Sequence, residues 1–150
     1  MRALQIEEPG GEPRVNDVQA RMPGPGEAMV RIDSAYVGTR ERSSASGNRD
    51  VYYPGHDRKF PLPLGYQAGA TVTEVGEGGV IAPGTRVFVN GFAECRRCHQ
   101  CLNGNMGQCP NHDLLGLDVD GCLAEYVTAP ELCFFPVPPE IPTDAIAGAS

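Results

Sequence analysis

Apolar and polar positions alternate in short runs broken by glycine and proline, a pattern that predicts short strands rather than long helices. Ala3-Leu4-Gln5-Ile6 reads as a first strand closed by Pro9-Gly10-Gly11, and a loop then runs to the turn Pro23-Gly24-Pro25-Gly26. Over residues 28–37 apolar Val30 and Ile32 alternate with polar Arg31 and Asp33, the period of two of a half-buried strand, until Gly38 ends it. Residues 39–50 are polar and could carry a short helix from Thr39, although Thr39 and Arg42 do not form a capping box. Residues 51–63, with two tyrosines, His56 and three prolines, read as loop. Further strands are expected at 70–75, 85–89 and about 123–129, with Gly76, Gly78, Gly79 and Pro83-Gly84 as turns between the first two. Pro130, Pro136, Pro138 and Pro139 make the tail extended, and Pro142-Thr143-Asp144 could start a helix.

Many short strands at this spacing predict a mainly β (β-rich α+β) chain folded as a small, partly open barrel. There is no regular alternation of strands and helices, so no doubly wound sheet is expected. At 150 residues, 41% of them apolar, the chain fits one globular domain. Gly 19 and Pro 14 agree with many turns. A net charge of −7, with a single lysine, argues against nucleic acid or an anionic membrane as partner. No apolar run approaches the ~20 residues that span a bilayer. The first residues lack the apolar core of a signal peptide, so the six cysteines are expected as reduced thiols in the cytoplasm.

The chemistry is concentrated in Cys95-Arg-Arg-Cys98-His-Gln-Cys101 followed by Cys109, a C-x2-C-x2-C-x7-C spacing. Two-residue gaps let consecutive thiolates turn onto one centre, and Gly104 and Gly107 let the longer gap bend round it. Four thiolates so placed suit a tetrahedral Zn²⁺. Two disulfides are the plainer alternative, but C-x2-C neighbours pair badly as structural bridges. An iron–sulfur cluster is the sharper one, since Pro110 follows Cys109; its usual last gap is three residues, not seven. Arg96 and Arg97 would soften the charge of the metal site, and His99 is expected on the surface, as are His56 and His112. Cys122 and Cys133 read as small buried hydrophobes. Gly76-Glu77-Gly78 resembles the start of a dinucleotide fingerprint, but Ile81 stands at the third glycine position and no helix pattern follows.

Taken in order, the Pro-Gly-Pro-Gly-Glu turn, Gly38-Thr39, Pro63-Leu64-Gly65, Val75-Gly76-Glu77-Gly78, Pro83-Gly84-Thr85, the four-cysteine stretch and Gly121-x-Leu123-Ala124-Glu125-Tyr126 form one series. It resembles the N-terminal domain of the zinc-containing medium-chain dehydrogenases/reductases, the alcohol-dehydrogenase family. That resemblance implies a GroES-like, substrate-holding (catalytic) domain over residues 1–150, with a zinc lobe at about 91–112. It implies that Cys95, Cys98, Cys101 and Cys109 bind one structural zinc per chain. It implies a Rossmann cofactor domain, absent from these 150 residues, through which NAD(P) would act. The substrate would be a small alcohol, aldehyde, ketone, quinone or enone, and the protein could be a homo-oligomer.

The family's catalytic zinc is held by a cysteine before Gly-Thr/Ser-Asp and by the histidine of Gly-His-Glu. Here the first run reads Val37-Gly38-Thr39-Arg40 and the second Gly65-Tyr66-Gln67. Valine has no lone pair for a metal, and a cation at Arg40 would oppose Zn²⁺ nearby. The expectation is therefore that structural zinc is kept and catalytic zinc lost. Thr39 matches the family's proton-relaying Ser/Thr, and Tyr66 puts a phenol where the histidine would be; each is a candidate catalytic residue beside an ordinary structural reading. A stand-alone zinc-stabilised binding or structural module is the alternative function.

Overall fold

A computed structural model describes residues 1–8, 10–46, 60–105 and 107–148. Strand β1 (Arg2–Ile6) pairs with β2 (Arg14–Asp17) and with β4 (Leu62–Pro63) in a three-stranded sheet of order β2-β1-β4. The larger sheet has β3 (Glu27–Ala35), β5 (Gln67–Val75), β6 (Arg86–Asn90), β9 (Tyr126–Pro130) and β10 (Phe134–Pro136) in the order β10-β6-β5-β3-β9. A third pair joins β7 (Phe92–Ala93) to β8 (Asp113–Leu114). All named strand pairs are antiparallel. Among the described residues there are also three short α-helices, α1 (Thr39–Ala45), α2 (His99–Leu102) and α3 (Thr143–Ala147), and one 3-10 turn at Glu131–Cys133.

The period-two pattern is fulfilled where it was clearest. Val30, Val72, Val87, Val89 and Val127 are each no more than 2% exposed, and they close the core with Ala28, Ala68, Ala70, Leu115 and Phe134. Register shifts at Met29/Val30 and Ile32/Ser34 bend the β3–β5 pair, as bulges do, and help the sheet curl. Leu123 and Glu125 bond across to β1, through Leu4 N–H to Leu123 O (2.7 Å) and Glu125 N–H to Arg2 O (3.0 Å). The same run continues into β9, so it stitches the small sheet to the large one and makes the partly open barrel. Helix α3 lies on the large sheet: Ile146 is buried, Ser34 Oγ donates to Thr143 O (2.6 Å), and Arg86 donates to Pro139 O, Ile141 O and Thr143 Oγ1. The Pro-Gly turn before β3 is tied by Glu27, whose carboxylate accepts from Gly24 N–H (2.9 Å) and Arg21 (2.6 Å). The Arg21 hydrogen bond holds the Glu27 carboxyl below its ordinary range.

Several boundaries differ from the sequence reading, each for a non-local reason. β2 lies inside the stretch expected to be loop; Val15 is 65% exposed, so hydrogen bonds to β1 rather than burial make this edge strand. β5 begins at Gln67 rather than 70, because residues 67–69 pair with Asn90, Val89 and Phe88. The strand expected from 123 begins at Tyr126, since 123–125 are bonded to β1 instead. Leu62-Pro63, expected as loop, form β4, while His56 and most of that loop lie outside the described residues.

Candidate active-site cleft and four-cysteine lobe

The lobe leaves the barrel after Phe92-Ala93 and returns at Asp113-Leu114, so its two ends are paired side by side. Arg96 sits at φ 56, and Gly104 and Gly107 at φ 73 and 82, which turns the chain repeatedly about one point. The Sγ atoms of Cys95, Cys98, Cys101 and Cys109 all lie within 4.8 Å of one another. Cys98 Sγ is 3.5 Å from Cys101 Sγ and 3.8 Å from Cys109 Sγ. A Zn–S bond of about 2.3 Å in a tetrahedron gives an S···S edge of about 3.8 Å, close to these two separations. Cys95 N–H donates to Cys109 Sγ (3.5 Å). All six cysteines are free thiols.

The electrostatics of the four thiols are lopsided. The backbone N–H of Arg97 and the neighbouring thiols hold Cys95 down to about 6, whereas loss of hydration and those same neighbours push Cys101 up to about 12. A first thiolate is stabilised here and a last one resisted, which is the arrangement a divalent cation resolves. Glu94, 7% exposed, accepts from Gly107 N–H and so braces the long gap from inside. Cys122 and Cys133 are fully buried; burial raises both thiols, Cys133 to about 12, as expected of small apolar residues. His99 is exposed at the start of α2. His112 is not the surface residue expected. It is half-buried, with Nδ1 2.6 Å from Cys109 O and its ring 5.3 Å from that of Phe92.

The second feature is a cleft of ≈ 320 Å³ lined by Tyr36, Gly38, Thr39, Arg40, Glu41, Tyr66 and Gln67. Thr39, at the start of α1, is exposed to it. Tyr66 is only 6% exposed: its ring meets Phe92 edge-on at 5.5 Å, and the Arg40 guanidinium lies 4.0 Å from its centroid. Arg40 is also 5.9 Å from the Phe92 ring, so the cation lies near both aromatic rings. Thr39 and Tyr66 thus border one space. Val37 does not; it is 61% exposed and lines a separate open groove with Leu4, Val15, Ile32 and Leu123.

Sequence reasoning missed Glu41, which organises this cleft. Its carboxylate accepts from Gly38 N–H (2.7 Å) and Tyr66 N–H (3.2 Å), tying the end of β3 to the start of β5. The reach from a third helical residue back to the N-cap N–H is half of a capping box. The signal was present one residue before the place inspected: Gly38-x-x-Glu41 rather than Thr39-x-x-Arg42.

Residues 24–139 match the family model described as the alcohol dehydrogenase GroES-like domain. Among curated proteins, the chain is 27% identical to an L-threonine 3-dehydrogenase of Pyrococcus horikoshii over 96% of this chain and 41% of that one. Among solved structures it is similar to an NAD-dependent alcohol dehydrogenase, with a TM-score of 0.87 and 31% identity over 98% of this chain and 42% of that one. A provisionally assigned zinc-binding dehydrogenase of Sinorhizobium meliloti, solved with NADP, superposes with a TM-score of 0.84 and 28% identity over 97% and 41%. The chain therefore spans about two fifths of the length of these relatives. No described helix is long and apolar enough to cross a membrane. With its barrel, its four-cysteine lobe and a model match covering most of its length, the chain belongs to the alcohol dehydrogenase GroES-like domain family.

Proposed function

We propose that this chain is the substrate-side part of an NAD(P)-dependent alcohol dehydrogenase-like oxidoreductase that keeps a structural zinc and has lost the catalytic one. The observation that carries the second half is Arg40. A guanidinium lies over Tyr66, the residue in the family's histidine position, and neither Tyr66 nor Val37, which lines a separate groove, offers the imidazole or thiolate required. Structural zinc would be held by Cys95, Cys98, Cys101 and Cys109, where it crosslinks the lobe and takes no part in turnover. A nicotinamide held by a cofactor domain beyond these residues would supply or accept the hydride.

The chain's own residues then have three tasks. The cleft walls orient the reacting carbon, which contributes much of the rate in such transfers. The positive charge of Arg40, which borders the cleft, would stabilise the oxygen on which charge develops as a carbonyl is reduced, in place of the Lewis acid. Thr39, exposed at the mouth, passes the proton between that oxygen and water. Tyr66, whose hydroxyl oxygen is enclosed, serves first as the platform under Arg40.

Joining the chain to a cofactor domain carrying a strand–G-x-G-x-x-G–helix unit tests this reading. The joined protein should show NAD(P)-dependent turnover, with Thr39→Ala slower by at least about tenfold and Tyr66→Phe by less. The 150 residues alone should show no saturable NADH or NADPH binding by fluorescence. Micromolar binding by the isolated chain would place the cofactor site inside it and end the substrate-side assignment. Absence of turnover in every joined form favours the stand-alone module.

A further inference from the structure

We infer that Glu94 is a positioning residue for the metal of the four-cysteine lobe: its carboxylate holds the long gap in the place from which Cys109 completes the ligand set, and this, not the stability of the barrel, is its task. The inference rests on the reading of the lobe as a zinc site. Glu94 follows directly on β7, whose Ala93 is paired with Asp113, so its backbone is anchored where the lobe leaves the barrel. One of its oxygens accepts from the N–H of Gly107, 13 positions away, and Cys109 stands two residues further on. Next to it, Cys95 N–H donates to Cys109 Sγ (3.5 Å), so two adjacent links join the first ligand's stretch to the last ligand's. The start of the gap is tied elsewhere. Asn105 N–H donates to Gln100 O (3.0 Å) and the Asn105 amide to Gln100 Oε1 (2.8 Å), which fixes that end to α2 beside Cys101.

The second oxygen shows what the carboxylate is not there for. Glu94 is 7% exposed, and its Oε2 is enclosed with no hydrogen-bond partner. A buried carboxylate with half of its acceptor capacity unused costs stability. Gly107 is exposed, so its N–H would find water if the carboxylate were removed. For the fold alone, an apolar side chain of the same size would serve as well or better. What only an acceptor at position 94 supplies is the placement of the segment that carries the fourth thiol. Glu94 is not among the groups that converge on the site, so it acts through the ligands. Groups that orient metal ligands in this way are worth about 10- to 100-fold in metal affinity.

The test measures the zinc dissociation constant of the 150-residue chain by competition with a chromophoric chelator, in the parent, Glu94→Met and Glu94→Gln. Methionine fills nearly the same space with no comparable acceptor, so Glu94→Met should bind zinc at least about tenfold more weakly. Glutamine keeps an acceptor oxygen, and Glu94→Gln should stay within about threefold of the parent. The thermal midpoint of the metal-free chain should be unchanged or higher in Glu94→Met, the opposite of what loss of a structural contact does. Loaded with cobalt(II), all three should show the same four-thiolate absorption spectrum. Parent affinity in Glu94→Met, equal weakening in both variants, or a lowered metal-free midpoint in Glu94→Met overturns the inference. A changed cobalt spectrum in Glu94→Met would make Glu94 a ligand and overturn it as well. A parent chain that takes up no zinc removes the zinc reading and the inference with it, whereas a parent that binds zinc beside an unaffected Glu94→Met removes the inference alone.

Discussion

Cys101→Ser should purify without zinc, whereas the parent chain carries one zinc and no iron. The four Sγ atoms already converge within 4.8 Å of one another, and a hydroxyl in place of one thiolate removes both a soft donor and a negative charge. Structural zinc in comparable small sites contributes on the order of 10 kcal/mol of folding free energy, so losing a quarter of the ligand set should disorder residues 91–112. The valine-lined core lies in the large sheet, outside the lobe, and should stay folded. Elemental analysis with an amide NMR spectrum reads both effects at once. Iron in the parent, or a full zinc complement in Cys101→Ser, would sink the assignment; a second zinc in the parent would overturn the proposed loss of the catalytic site.

Gly121→Ala should destabilise the barrel by about 3 kcal/mol, a large share of the stability of a domain this size. A Cβ at Gly121 would come within 2.3 Å of Gly65 O and 2.4 Å of Leu64 O, both backbone atoms that no rotamer change can move aside. Gly65 is locked from the other side: at φ +103 a Cβ would reach 2.5 Å from Leu123 N. This close crossing fixes the chain one residue before Tyr66, so the substitution should also disturb the cleft. Gly78→Ala is the comparison, since Gly78 also has positive φ (+76) but nothing lies within 4 Å of its Cβ position. It should lose only about 1 kcal/mol, the conformational part alone. Equal denaturation midpoints for the two variants would show that the contact at Gly121 relaxes freely.

How much of this was legible in the sequence follows from how local each signal is. The alternation of Val30 and Ile32 with Arg31 and Asp33 announced β3, because a strand with one buried face writes its period into the chain. The cysteine spacing announced its own convergence, since ligands two residues apart can only turn inward together. The glycines at 65 and 121 were visible, but their reason was not: a Cβ at 121 would meet Gly65 O and a Cβ at 65 would meet Leu123 N, contacts between distant stretches that only the fold shows. β2 has one apolar residue and that one is exposed, so no burial pattern could mark it. In the cleft, the residue identities that argue against a catalytic metal were readable one at a time. The stacking of Arg40 on Tyr66 was not, because a cation–aromatic contact between a helix start and a strand start leaves no mark in either stretch.

The aromatic row that includes Tyr66 has a thermodynamic consequence. Cys109 O meets His112, His112 meets Phe92, Phe92 meets Tyr66, and Tyr66 carries Arg40. Ordering the lobe around a metal and filling the cleft beside Arg40 therefore act on the two ends of one packed series of rings. If either event stiffens that series, the other meets a partner already prepared, and the two binding equilibria become coupled. Such coupling is reciprocal: the factor by which metal strengthens binding in the cleft is the factor by which a molecule in the cleft strengthens metal binding. A zinc that never touches substrate would then still set the affinity for it.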